Sequence, residues 1–167
     1  MLSGLLLSVL LIAGDRVGWC VSLLTLQGFM PMTRPLSPEL HWLIYTMLMT
    51  ALFWVPYILD RLATRGVWKA ISSRMAETGD TPNLWAQRAR SAHLNAVENL
   101  AIFAPAVLIA SAIGVSTPVT QTAAAVYFFA RLIHFLVYAL GVPVLRTLSY
   151  AVAWAAQIVI LVSILAA

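Results

Sequence analysis

The stretch Arg88 to Asn99, R-A-R-S-A-H-L-N-A-V-E-N, carries ionisable and amide side chains straight into an apolar segment. At about 100° per residue, Arg88, Ser91, Asn95, Glu98 and Asn99 fall on one face of a helix. A carboxylate and amides at membrane depth are costly unless they face a polar cavity or a partner, which makes them candidates for function. The competing reading is a buried network that only holds helices together, as polar side chains in membrane bundles often do. A second stripe has the same character. Tyr127, Arg131, His134 and Tyr138 stand at i, i+4, i+7 and i+11 on an otherwise apolar segment, and Arg146, Thr147 and Tyr150 follow. Guanidinium groups from Arg88, Arg131 and Arg146, with the Glu98 carboxylate and several amide or phenol donors, make a good receptor for a small acidic peptide. Arginine grips carboxylates bidentately, and Glu98 supplies a seat for an ammonium group.

These residues belong to a chain built for a bilayer. Hydrophobic residues make up 62% of it and charged residues only 10%, with a mean hydropathy of +0.90. Those values lie outside the soluble range, and the apolar runs are long enough for helices rather than barrel strands. The net charge of +4 carries no nucleic-acid meaning, because the basic residues cluster in one loop and report orientation instead. Cys20 is the only cysteine, so neither an internal disulfide nor a cysteine metal site is possible, and no metal centre is expected.

Residues 1–34 read as an apolar extension. Its runs, Leu2 to Ala13 and Val17 to Met30, are each short of the roughly 20 residues a span needs. The first has no basic leader and no clear small-residue cleavage site, so a signal peptide fits poorly, while Met30 or Met32 would open a plausible shorter protein. Residues 35–167 read as one four-helix transmembrane domain. Ser37-Pro38 starts a span over Leu40–Leu59, which Pro56 should kink near its end, and Trp42, Trp54 and Tyr57 suit interfacial belts. A polar connection from Asp60 to Gln87 follows, with its turn at Gly79-Asp80-Thr81-Pro82-Asn83. The remaining spans are expected at Leu84–Ile113, Val119–Leu140 and Leu145–Leu165, separated by Gly114-Val115-Ser116-Thr117-Pro118 and by Gly141-Val142-Pro143. Basic residues sit in loops one and three, which places those loops in the cytoplasm and both termini outside. The expected fold is all-α: an integral membrane, antiparallel four-helix bundle.

The pairing of R-A-R-S-A-H-L-N-A-V-E-N with A-R-L-I-H-F-L-V-Y-A-L-G-V-P-V-L-R-T resembles the MAPEG family, the membrane-associated proteins of eicosanoid and glutathione metabolism. The resemblance covers Leu40 to Ala167 in span order and loop length. It implies a homotrimer of four-helix protomers, a bacterial-type member in the inner membrane, with glutathione as co-substrate between subunits near the cytoplasmic face. On the second span Arg88, Asn95 and Glu98 match glutathione-holding positions. On the third, Arg131, His134 and Tyr138 do so. Arg146 matches the arginine set against the glutathione sulfur, and Thr147 stands where some members have a serine. The family pattern often has E-R-x-x-R before the asparagine, whereas Gln87 replaces the acid here and Ser91 the second arginine. Arg90 points about 100° away from Ser91 and is no simple substitute. His93 lies off the Arg88–Asn95 face and reads as interfacial or inter-subunit.

The implied chemistry is activation of the glutathione thiolate. The thiolate then conjugates lipophilic electrophiles or reduces lipid peroxides. Arg131 is expected to pair with Glu98. The alternative is a non-catalytic MAPEG-fold scaffold or partner subunit. A transporter is disfavoured by the uncharged outer halves of the second and third spans.

Overall fold

Ser37 and Pro38 start the first helix as their types predict, in a computed structural model that describes residues 35–72 and 83–167. The extension up to residue 34, with Cys20, and the expected turn at 79–82 lie outside the described residues. The Ser37 hydroxyl accepts from the Leu40 N–H at 3.4 Å, and proline opens α1 (Pro38–Leu52), where its missing N–H costs nothing. The helix breaks at Phe53–Trp54 and resumes as α2 (Val55–Arg65). Pro56 explains the break, since its ring lacks a donor and collides with the preceding turn. The polar connection expected from Asp60 onward is therefore helical as far as Arg65. A helix leaving the bilayer can show such side chains to water, and Asn83 ties its end down by donating to Asp60 Oδ1 at 2.7 Å. A short α3 (Val67–Ser72) follows.

The other three long helices are α4 (Leu84–Ile113), α5 (Pro118–Leu140) and α6 (Pro143–Leu165). Pro118 and Pro143 each occupy the first turn of a helix instead of the connection before it, so α5 and α6 start slightly earlier than expected. Four segments are long and apolar enough to cross a membrane: Pro38–Arg65, Leu84–Ile113, Pro118–Leu140 and Pro143–Leu165. Multi-pass membrane topology follows.

α6 packs chiefly on α5, while α1 lies against α4 and α5. Close approach comes from small residues: Ala86, Ala89, Ala92 and Ala96 on α4, Ala123, Ala124 and Ala130 on α5, and Ala153 and Ala156 on α6 are all buried. One apolar cluster holds Leu43, Phe103, Val107, Tyr127 and Ile160, and the other holds Phe53, Ala89, Ala92, Ala96 and Phe135. Each is keyed by a stacked ring pair, Phe103–Tyr127 at 3.8 Å and Phe53–Phe135 at 3.9 Å. Arg131 stands one helical turn from both Tyr127 and Phe135, between the two clusters. Trp42 packs with Tyr45, Phe128 and Phe129.

At the α4–α5 connection Glu39 is buried and clamps three elements. It accepts from Thr120 Oγ1 at 2.6 Å and from Ser116 Oγ at 3.0 Å. Hydrogen bonds to a charged group carry more than neutral ones, so Glu39→Ala should lower stability by about 2 kcal/mol. Thermal unfolding in detergent checks this; an unchanged midpoint would show that the clamp contributes nothing net.

Candidate functional site

The two polar stripes meet inside the protomer. Arg131 is 2% exposed, and its Nη2 donates to Asn95 Oδ1 at 2.9 Å, linking α5 to α4. The expected partner, Glu98, is exposed instead. Asn95 and Glu98 are three residues apart, about 60° on a helical wheel, which is enough to turn one inward and the other outward. Arg131 Nε and Nη1 and the Tyr127 hydroxyl are buried without a hydrogen-bond partner among the described residues. Asn99 Nδ2 donates to the Asn95 main-chain oxygen at 2.8 Å, which secures that turn of α4.

One turn further along α5, His134 is 3% exposed and reaches α6. Its Nδ1 lies 3.0 Å from the Arg146 carbonyl oxygen, which can only accept, so Nδ1 carries the hydrogen. Ser149 Oγ donates to the same carbonyl at 3.0 Å and lies 3.3 Å from His134 Nδ1. The Tyr138 ring meets the imidazole edge-on at 5.6 Å and carries the Arg146 guanidinium over its face at 4.9 Å. The Tyr150 ring lies tilted against the imidazole at 5.9 Å.

Arg88 is exposed at the same end of the bundle, where its guanidinium covers Gly141. Gly141 has φ +77°, and a Cβ there would overlap Arg88. Gly141→Ala should cost little beyond the roughly 1–2 kcal/mol of left-handed backbone strain, because the overlapping atoms are the far end of an exposed side chain, and a loss well above that of Gly114→Ala would contradict this. Gly114→Ala is the control, because Gly114 has φ +80° with nothing within 4 Å of a new Cβ. Equal losses of melting temperature in the two variants would mean that Arg88 moves aside freely.

The remaining expected residues divide by environment. Thr147 is exposed, and its hydroxyl donates to the Pro143 carbonyl at 3.1 Å within its own helix. Ser91 Oγ likewise donates to Gln87 O at 3.1 Å. Tyr138 and Arg146 are half-buried. His93 is engaged within the chain, 2.9 Å from the Tyr57 hydroxyl, and the pair joins α2 to α4. The end of the bundle near Gly141 thus presents Arg88, Tyr138, Arg146 and Thr147 at or near the surface. Glu98 is exposed on α4, while Arg131, His134 and Asn95 form the layer beneath. Two exposed or half-exposed guanidinium groups and a carboxylate suit the carboxylates and ammonium of a small peptide.

Ser149 and Gln157 were not singled out from the sequence. Both are buried on α6, and Gln157 Oε1 lacks a partner among the described residues. They share the inward stripe Ser149-Ala153-Ala156-Gln157-Ile160, whose helical spacing was the available signal. An apolar groove of about 620 Å³ runs between α5 and α6, lined by Val119, Val126, Val152 and Val159 among others. It lies toward the Pro118 end, away from the arginines, and has no titratable lining. Among the described residues no group of three His, Cys, Asp or Glu side chains could hold a metal ion.

A helical membrane bundle with a cationic polar seam is the class that fold and site define. The MAPEG family model matches residues 41–166, and the chain belongs to that family. It is accordingly a glutathione-related membrane protein. No curated protein and no solved structure matches the chain.

Proposed function

We propose that this protein is a glutathione-dependent membrane enzyme that ionises the glutathione thiol and delivers it to lipophilic electrophiles. The observation that carries this is the Arg146 guanidinium, held over Tyr138 at 4.9 Å at the bundle end where Arg88 also lies. A positive charge beside the sulfur favours thiolate over thiol. The peptide would be bound by Arg88, Glu98 and Tyr138 at the surface, with Asn95 and Arg131 behind them. Thr147 would stand beside the sulfur. In a homotrimer a neighbouring protomer closes the site, and the excess of basic residues in the first loop puts it near the cytoplasmic face. The compartment for a bacterial-type member is the inner membrane.

The thiol proton leaves to water, the sulfur forms a bond to the electrophilic carbon, and the leaving group departs with its electron pair. For a lipid peroxide the thiolate attacks the terminal oxygen instead; the O–O bond breaks, the lipid alkoxide takes a proton from water and leaves as the alcohol, and the thiol of a second glutathione displaces water from the resulting sulfenic acid to close the disulfide. Bilayer walls bring the apolar substrate to the same thiolate. A non-catalytic scaffold is the second reading, favoured by the depth of Arg131 and Asn95, which join helices whatever else they do. The separating experiment is conjugation of a chlorinated nitrobenzene with glutathione by purified protein, measured beside detergent-resistant trimer content. Turnover with intact trimer supports the enzyme, and trimer without turnover or glutathione binding supports the scaffold.

A further inference from the structure

We infer that residues 65–69 bind the headgroups of anionic phospholipids in their own leaflet, with Trp68 anchored at the acyl-chain boundary. The inference holds whatever the cationic seam of the bundle binds. The first span ends with α2 at Arg65, and Gly66 turns the chain there. The Gly66 N–H donates to the Leu62 carbonyl at 3.0 Å, and its own carbonyl accepts from the Ala70 N–H at 3.1 Å. One residue thus closes α2 and opens α3, with a φ of +75° that favours glycine. α3 packs chiefly on α2, which leaves its outer face open. Trp68 is 82% exposed, the most open aromatic ring among the described residues, and Val67 beside it is 63% exposed. Lys69 is exposed as well, and Arg65 and Arg61 stand one and two turns back along the chain. Residues 61–72 contain no acid.

Position decides what covers this face. Three residues of chain reach no further than about 10 Å, and each headgroup layer is about 5–7 Å deep. Trp68 therefore stays at the membrane surface. An indole suits that boundary, because its ring packs among the upper acyl chains while its N–H bonds in the headgroup layer. The neighbouring cations then meet phosphates. A run of bases without an acid favours lipids of net negative charge over zwitterionic ones.

The test uses the full-length protein in vesicles of phosphatidylcholine, alone or mixed with phosphatidylglycerol. Phospholipid retained after mild detergent extraction is identified by mass. The parent should enrich phosphatidylglycerol above its share of the bilayer. That enrichment should fall about fivefold in Lys69→Gln and further in Arg65→Gln/Lys69→Gln. It should survive in Lys69→Arg and weaken as salt is raised. Lys69 is exposed, so the single variant decides the matter even if the double variant fails to fold. The position of the ring is read separately, as the fluorescence difference between the parent and Trp68→Phe. In the bilayer that difference should be quenched by lipids brominated near the top of the acyl chain and shielded from acrylamide. No enrichment in the parent, or enrichment unchanged in Lys69→Gln, would overturn the inference. A Trp68 that acrylamide reaches freely in the bilayer would do the same. So would one shielded from both quenchers, since a neighbouring copy or another protein would then be its cover.

Discussion

Arg146→Leu is expected to leave folding and assembly largely intact while removing most thiol activation. The Arg146 main chain keeps its bonds to His134 and Ser149, because the substitution touches neither carbonyl nor helix. What disappears is a half-buried guanidinium stacked on Tyr138, so no carboxylate is stranded. Lowering a thiol pKa by about two units from its solution value near 8.5 takes about 2.7 kcal/mol of differential interaction. The variant's bound thiol therefore returns toward that solution value. At pH well below it the parent holds far more thiolate, and the rate deficit is about a hundredfold. As pH rises through the unperturbed thiol pKa the deficit shrinks, since both proteins then hold thiolate. A pH–rate profile for conjugation checks the direction. Arg146→Lys should fall between, because it restores charge without the planar group that stacks on tyrosine. An equal rate for parent and Arg146→Leu at all pH values would remove Arg146 from the chemistry.

Asn95→Ala should be among the most destabilising single changes in the bundle. Arg131 is buried, and Asn95 Oδ1 is its hydrogen-bond acceptor; two further nitrogens on the same guanidinium already lack one. Removing the amide leaves the guanidinium's remaining paired nitrogen without an acceptor between apolar clusters, at a cost of about 2–3 kcal/mol. Arg131→Met removes the charge along with its need for a partner. Replacing a buried polar group by an apolar one of similar volume is often neutral or better, so that variant should lie within about 1 kcal/mol of the parent. The double variant Asn95→Ala/Arg131→Met should accordingly recover most of the loss. Unfolding midpoints in one detergent decide it. A double variant as unstable as Asn95→Ala alone would mean that Asn95 matters for packing and not for holding the guanidinium.

The spans were legible in the sequence because apolar run length and Pro/Gly punctuation fix them almost unaided. Leu84–Ile113 occurs as read, and Gly114 and Gly141 close helices with positive φ where their positions suggest. The polar stripes were legible too, since helical spacing identifies a shared face. Partners across helices were not. A helical wheel puts Asn95 and Glu98 together, but which one meets Arg131 depends on the rotation and register of α4 against α5, set by alanines that carry no pairing signal. The contact from His134 to a main-chain carbonyl depends on the geometry of the turn at Gly141. Any residue at position 146 would offer that carbonyl. Nothing in the sequence marks Glu39 out, because its burial requires Ser116 and Thr120 to fold over it from far along the chain.

Proton release on glutathione binding tests the central claim most directly. Purified protein in weakly buffered detergent near pH 6.5 is titrated with glutathione while protons and thiolate absorbance are both followed. Free thiol is almost wholly protonated there, with a pKa near 8.5. If Arg146 stabilises the thiolate with a pKa about two units below the solution value, saturable binding at this pH should release about half a proton per bound glutathione in step with the absorbance, and Arg146→Leu should bind with little release. Binding by the parent without proton release, or no binding at millimolar glutathione, would contradict it.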